Sequence, residues 1–400
     1  MKKLTLMLLA GALCASMVLS GCQSKNGENQ DEVINENEVI ENNETESENT
    51  PPETVSPEVS SSLIPAEYNN VVLDVEKLEE LLSLIQPKQE NDEIILMHVN
   101  GIPVSATAVR YAVLACNEFY AAEENPEEAI EKEIREFHLL NAAVATVAKE
   151  KNAGITGSEF KSDIAASIDE FKGNYGDSYD TIFEEVLHQT PYYFFLNQCY
   201  NLMYSNLYES MTQDEAFLES AREEALKLMA ENDYVRAKHI LIQFPEGEGE
   251  DGGLTDAQKS DVLAKANDVL AKVKAMKSID EFDELVKEYN EDPGMQSYPG
   301  GYYFTKGEMV PEFENSAYSL AEGETSGLVE TTYGYHILLK LPLDDDAMYD
   351  TEIFADAAYE TLRSQLLEVS ADYKIEYAEG YEEAVAAYEA EYAANAAAAN

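Results

Sequence analysis

The 400-residue chain has no tryptophan, four cysteines, five histidines and 26 Lys+Arg against 79 Asp+Glu. A formal charge of -53 excludes a nucleic-acid binder, because that binding rests on Lys and Arg neutralising phosphates. It also excludes a body that lies flat on anionic lipid, and it suits one that stays dispersed. No Cys/His cluster has metal-ligand spacing. There is no Gly-rich phosphate loop and no nucleophile elbow, so no cofactor or metal is expected. No apolar run reaches the roughly 20 residues that a spanning helix needs.

The longest such run follows Met1-Lys2-Lys3 and ends at Leu19-Ser20-Gly21-Cys22. A basic start, an apolar stretch and a small-residue junction make a secretory leader over residues 1–21. "LSGC" resembles the bacterial lipobox, which implies lipid on Cys22 and membrane attachment through it. The blander alternative is an ordinary leader with a chance cysteine. Residues 22–66 follow, including "NENEVIENNETESENTPPETVSPEVSSS". So little apolar surface cannot offset chain entropy, so this stretch is expected to be a disordered, extended acidic tether. Cys14 leaves with the leader. Cys116 and Cys199 sit in helical, apolar contexts and read as unpaired buried residues.

About 330 residues remain, enough for two domains. "IILMHVNGIPVSATAVRYAV" reads as a strand, a turn at Asn100-Gly101 and the entry to a helix. Asn125-Pro126-Glu127-Glu128 starts a helix whose Ile130, Ile134, Phe137, Leu140, Val144 and Val147 form one apolar stripe. Further helices are expected at 157–172, 178–189, 192–211 and 213–231. His138 and His188, lone histidines on helices, are given no role. From 233 the character changes. "DYVRAKHILIQF" alternates, with Val235, Ala237, His239 and Leu241 on one side and Arg236, Lys238, Ile240 and Ile242 on the other. Capping boxes at Thr255–Gln258 and Ser278–Glu281 open two helices. Turns, an aromatic "YYF", a short helix and two strands complete an α+β unit.

"AKHILI", "EDPG", "GG-YYF", "KGEMVPEFENSAYSL" and "TTYGYHILLKL" occur in that order. Together they resemble the parvulin class of peptidyl-prolyl cis-trans isomerases, over about residues 234–343. "VNGIPVSATAV" and "AKEKNAGITGSEF" resemble, more loosely, the N-terminal region of SurA/PrsA-type folding factors. The resemblance implies a four-stranded antiparallel sheet with surrounding helices, inserted in a mostly helical chaperone-like domain. The expected divisions are 67–232 for the helical domain, 233–343 for the parvulin unit, and 344–400 for C-terminal helices folding back on the first. Tyr377, Tyr381, Tyr388 and Tyr392 read as one packed helical stripe.

The resemblance also implies roles. Met309 and Phe313, four apart on a short helical segment, match the family's proline-holding hydrophobes. His239 and His336 match paired histidines whose rings hydrogen-bond each other. Asp292 falls beside the substrate carbonyl, Thr331 completes the polar network, and Tyr333 aligns with a polar position near the histidines. On spacing alone, Met309 and Phe313 read as ordinary core, and Asp292-Pro293-Gly294 as a plain turn. One departure is visible. Gly300-Gly301-Tyr302-Tyr303-Phe304 is two residues shorter than the family's usual glycine-rich segment, and the leucine that walls the proline slot has no clear counterpart. Either Tyr302 or Phe304 takes its place, or the slot is narrower.

The activity so implied is isomerisation of Xaa-Pro bonds in unfolded exported proteins, outside the cytoplasm of a bacterium. The main alternative is a holdase whose parvulin unit grips chains with little turnover. A third is a lipoprotein serving envelope architecture. The oligomeric state is left open between monomer and homodimer.

Overall fold

The computed structural model describes residues 59–120, 126–183, 187, 189–247 and 253–399. The leader, Cys22, the tether up to residue 58 and His188 lie outside the described residues. The strands in chain order are β1 (Ile95–Val99), β2 (Ile102–Ser105), β3 (Val235–Gln243), β4 (Tyr302–Phe304), β5 (Val329–Glu330), β6 (Gly334–Leu341) and β7 (Ile375–Tyr377).

The chain divides into two compact units, one running to Gln213 and resuming at Arg363, the other Asp214–Leu362. The divisions expected at 232/233 and 343/344 therefore move outward, and helix Glu215–Glu231 belongs with the sheet unit. The cause is a polar clasp. Arg222 on that helix donates to Asp344 at 2.7 Å and to the Tyr349 hydroxyl at 3.1 Å. The start of the folded body moves as well. Val59–Ser62 forms a helical turn, the Ser60 N–H donates to Asp169 at 2.9 Å, and Ile64 is buried. The last residues assigned to the tether are thus packed.

In the first unit β2, β1 and β7 form an antiparallel sheet in that order. Asn100 and Gly101 both take positive φ, 51° and 82°, as a two-residue hairpin turn requires. The helix Pro126–Glu150 forms as the stripe predicts, with Ile130, Ile134, Leu140 and Val144 buried. Helix Tyr381–Ala399 packs on helix Ala106–Tyr120, and Arg110 Nε meets Glu391 at 3.0 Å. Tyr377 lies in β7, not on that helix, so the tyrosine stripe begins at Tyr381.

The expected 157–172 helix contains a wide π turn at Phe160–Ala165. Of the expected 178–189 helix, the described residues show a helical turn at Tyr179–Thr181 that continues in π form through Phe183. Phe183 is fully buried against Phe171, Phe194 and Phe195, and the Gln189 N–H closes a loop on its carbonyl at 3.0 Å. Cys116 and Cys199 are free and buried, and burial pushes the Cys116 thiol up to about 12.

The second unit holds the expected four-stranded antiparallel sheet, in the order β4-β3-β6-β5. The alternation along β3 separates two cores. Val235 and Ala237 join Phe304, Phe313, Ala317 and Leu338 on one face. Ile240 and Ile242 join Val262, Val269, Phe282 and Ile337 on the other. The Thr255–Gln258 capping box forms. The Ser278–Glu281 box does not, because Glu281 reaches past Ser278 to accept the Lys277 N–H at 3.1 Å.

Candidate active site

The site residues come from five separated segments and meet on the β3 face that carries Val235 and Ala237. His239 lies opposite Leu338 in the β3–β6 ladder, and Leu241 lies opposite His336. The two histidines are therefore diagonal neighbours on one face. Their ring centroids are 5.1 Å apart at 63°. The rings meet edge to face, and neither nitrogen of His239 has a hydrogen-bond partner among the described residues. This corrects the expected hydrogen bond between the rings: a diagonal register brings edges together rather than nitrogens.

Thr331 fixes the second ring, with its Oγ1 2.8 Å from His336 Nε2. The hydroxyl is held in turn by the Tyr333 N–H at 3.1 Å, within a tight turn closed from Thr331 N to the Gly334 carbonyl at 2.9 Å. Gly334 has a φ of 153°, and a Cβ there would run into the Ile242 carbonyl oxygen, so the turn needs glycine. Tyr333 supplies that N–H from its backbone, and its side chain is 56% exposed.

Asp292 is held by its own turn. Oδ1 accepts the Gly294 N–H at 3.0 Å, Oδ2 accepts the Tyr302 hydroxyl at 2.9 Å, and His239 Nε2 lies 3.2 Å from Oδ2. The contact with His239 is close, but it lacks the alignment of a hydrogen bond. The proximity of His239, the Gly294 N–H and the Tyr302 hydroxyl together hold the carboxyl well below the usual range, against the opposing effect of burial. Asn290 ties this turn to β3, accepting the Leu241 N–H at 2.8 Å and donating to the Asp292 carbonyl at 2.8 Å.

Phe313 meets both histidines edge to face, with centroids 5.2 Å from His239 and 5.5 Å from His336. Phe304 is buried beneath it at 5.9 Å, so Phe304 is core support and not a wall of the slot. Met309 does not share a helix with Phe313. Pro311 is the first helical residue, and Met309 sits in the turn before it, half-buried against the same cluster. The ring of Tyr302 stacks on His239 at 5.8 Å and 20°. No single pattern in the sequence marked Tyr302, beyond its place where the leucine is missing.

Residues 239–341 match the rotamase family described as the PPIC-type PPIASE domain. The sheet unit is a parvulin-type domain. Among curated relatives, the foldase protein PrsA of Geobacillus kaustophilus is 32% identical over 162 residues, 39% of this chain and 57% of the relative. PrsA of Halalkalibacterium halodurans is 38% identical over 106 residues, 26% of each chain. PrsA of Geobacillus sp. WCH70 is 27% identical over 244 residues, 59% of this chain and 86% of the relative. That last similarity extends beyond the parvulin unit. The chain spans between about a quarter and just over half of the length of the first curated relatives it matches.

One further residue was missed in the sequence. Arg236 is buried on β3 and donates to the Gly300 carbonyl at 2.8 Å, the Pro342 carbonyl at 3.1 Å and Asp345 at 3.0 Å. It anchors the turn that delivers Tyr302. An arginine within an apolar alternation was the available signal.

Proposed function

We propose that the chain is an extracytoplasmic foldase whose parvulin unit isomerises Xaa-Pro bonds in exported proteins. The observation that carries this reading is the convergence of His239, His336, Asp292, Thr331 and Phe313 from separate segments onto one face. The reaction rotates an amide over a barrier of roughly 18–20 kcal/mol and transfers no proton. A catalyst must seat the proline ring, exclude water and favour the twisted amide. Phe313 and Met309 seat the ring, with Phe304 supporting Phe313. His239 and His336 form the polar floor, oriented by Asp292 and Thr331. Burial, reinforced by the nearby His239, pushes His336 down to about 4, so its ring is neutral at physiological pH and orients rather than shuttles protons.

The test is exchange spectroscopy of short Xaa-Pro peptides with the mature chain. Accelerated cis-trans exchange is expected. A folded chain that accelerates none of several Xaa variants would leave the holdase reading, which the missing leucine favours.

Attachment is proposed through lipid on Cys22. No helix among the described residues is long and apolar enough to cross a membrane. Cys22→Ser is expected to move the protein from the membrane fraction to the soluble fraction of the producing bacterium. Unchanged fractionation would remove the lipid anchor from the reading.

A further inference from the structure

The parvulin unit departs from its family at Gly301-Tyr302, and the departure builds something specific. Tyr302 makes two contacts with the polar floor. Its hydroxyl donates to Asp292 Oδ2 at 2.9 Å, and its ring lies nearly parallel to His239, 20° apart. Tyr298 flanks the outer side of that ring at 5.2 Å. Tyr302 also packs, half-buried like Met309, against the cluster that contains Phe313. A flat aromatic face therefore borders the histidine pair where the family's leucine has no counterpart.

A second observation is independent of these distances. Gly294 follows Asp292-Pro293 within a short helical turn and does not need a positive φ. A Cβ at this position would instead strike the Tyr302 hydroxyl and crowd the Asp292 carboxylate. The glycine makes room for this tyrosine. The Asp-Pro-Gly turn, the Gly300-Gly301 turn held by Arg236, and the tyrosine thus form one fitted arrangement.

We propose that Tyr302 is a positioning and specificity-determining residue, whose hydroxyl holds Asp292 beside His239 and whose ring supplies the wall that leucine supplies elsewhere. The proposal rests on the isomerase reading and names how this chain completes the slot. Without the hydroxyl, Oδ2 retains only the misaligned contact with His239, and the carboxylate swings about its remaining bond to Gly294. A hydrogen bond to a charged group is strong enough that its loss shifts a rate about tenfold.

The test compares the mature wild type with Tyr302→Phe and Tyr302→Ala, using Xaa-Pro exchange across pH, with thermal melting to confirm folding. Tyr302→Phe keeps the wall and removes the hydroxyl. It is expected to lose roughly three- to tenfold in kcat with KM retained, and to move the acid limb of the pH profile upward. Tyr302→Ala removes both and is expected to raise KM as well. A Tyr302→Phe protein with unchanged rate and acid limb would overturn the positioning role. A Tyr302→Ala protein identical to Tyr302→Phe would overturn the wall. The Asp292 carboxyl titration, followed by carbon NMR, separates this proposal from the isomerase reading. If the wild type is inactive, that reading fails, yet an upward shift in Tyr302→Phe still supports the clamp and an unmoved titration overturns it.

Discussion

Met309→Ala is expected to cut kcat/KM for Xaa-Pro exchange about tenfold while leaving the unfolding midpoint of the unit nearly unchanged. The two readouts separate because of where Met309 sits. It lies in the turn before Pro311, half-buried on the edge of the cluster of Val235, Ala237, Phe304, Phe313, Ala317 and Leu338. Removing its thioether takes about 1–2 kcal/mol of apolar contact from a bound proline, which is close to a factor of ten in rate. The fold loses less, because the turn is partly solvated in the absence of substrate. Phe313→Ala should lose both activity and stability. Phe313 is buried against Phe304 and both histidines, so its loss opens a cavity beside the histidine pair and costs about 3–5 kcal/mol of stability. Urea unfolding and peptide exchange on both variants check this. A Met309→Ala protein that keeps full exchange activity would remove Met309 from the slot.

The sheet unit was more legible in the sequence than the helical unit, for a physical reason. Alternation along β3 and β6 has a period of two, and each face of the sheet is buried in a separate cluster, so the pattern maps onto structure with little ambiguity. The ordered motif blocks then placed His239, His336, Asp292 and Thr331 at one locus. Details that depend on side-chain direction were not legible. The edge-to-face histidines, the outward ring of Tyr333 and the burial of Phe304 follow from diagonal register and turn geometry that spacing does not encode. In the helical unit the 157–172 spacing reads as one continuous helix, and it does not encode the π turn at Phe160–Ala165. Tyr302 was visible only as a gap in a familiar pattern, and its function rests on Asp292 and Gly294, eight or more residues away in the chain.

Stability of both units is expected to fall as the pH drops from about 6.5 to 4, through one buried histidine in each. His138, on helix Pro126–Glu150, is 3% exposed with no partner for Nε2 among the described residues, and burial pushes it down to about 4. His336 is pushed down to the same value. The unfolded chain binds a proton at each position near pH 6.5, whereas the folded chain resists until about pH 4. The unfolded state therefore carries more protons across that window. The stabilisation is complete above about 6.5 and lost as the pH falls, at about 3 kcal/mol per histidine. Asp292 extends the loss further down: its carboxyl is held below its usual range, so its contribution disappears below the ordinary carboxylate region. The large excess of Asp and Glu works the other way, because their protonation relieves repulsion in a chain of formal charge -53. Variants separate the two effects. His138→Leu keeps the apolar volume near the core, removes the titrating ring and should flatten the pH dependence of the first unit while leaving the second sloped. Urea midpoints at pH 7, 5.5 and 4.5 read this directly. Equal slopes for wild type and His138→Leu would show that His138 takes up its proton in the folded state as readily as in the unfolded one.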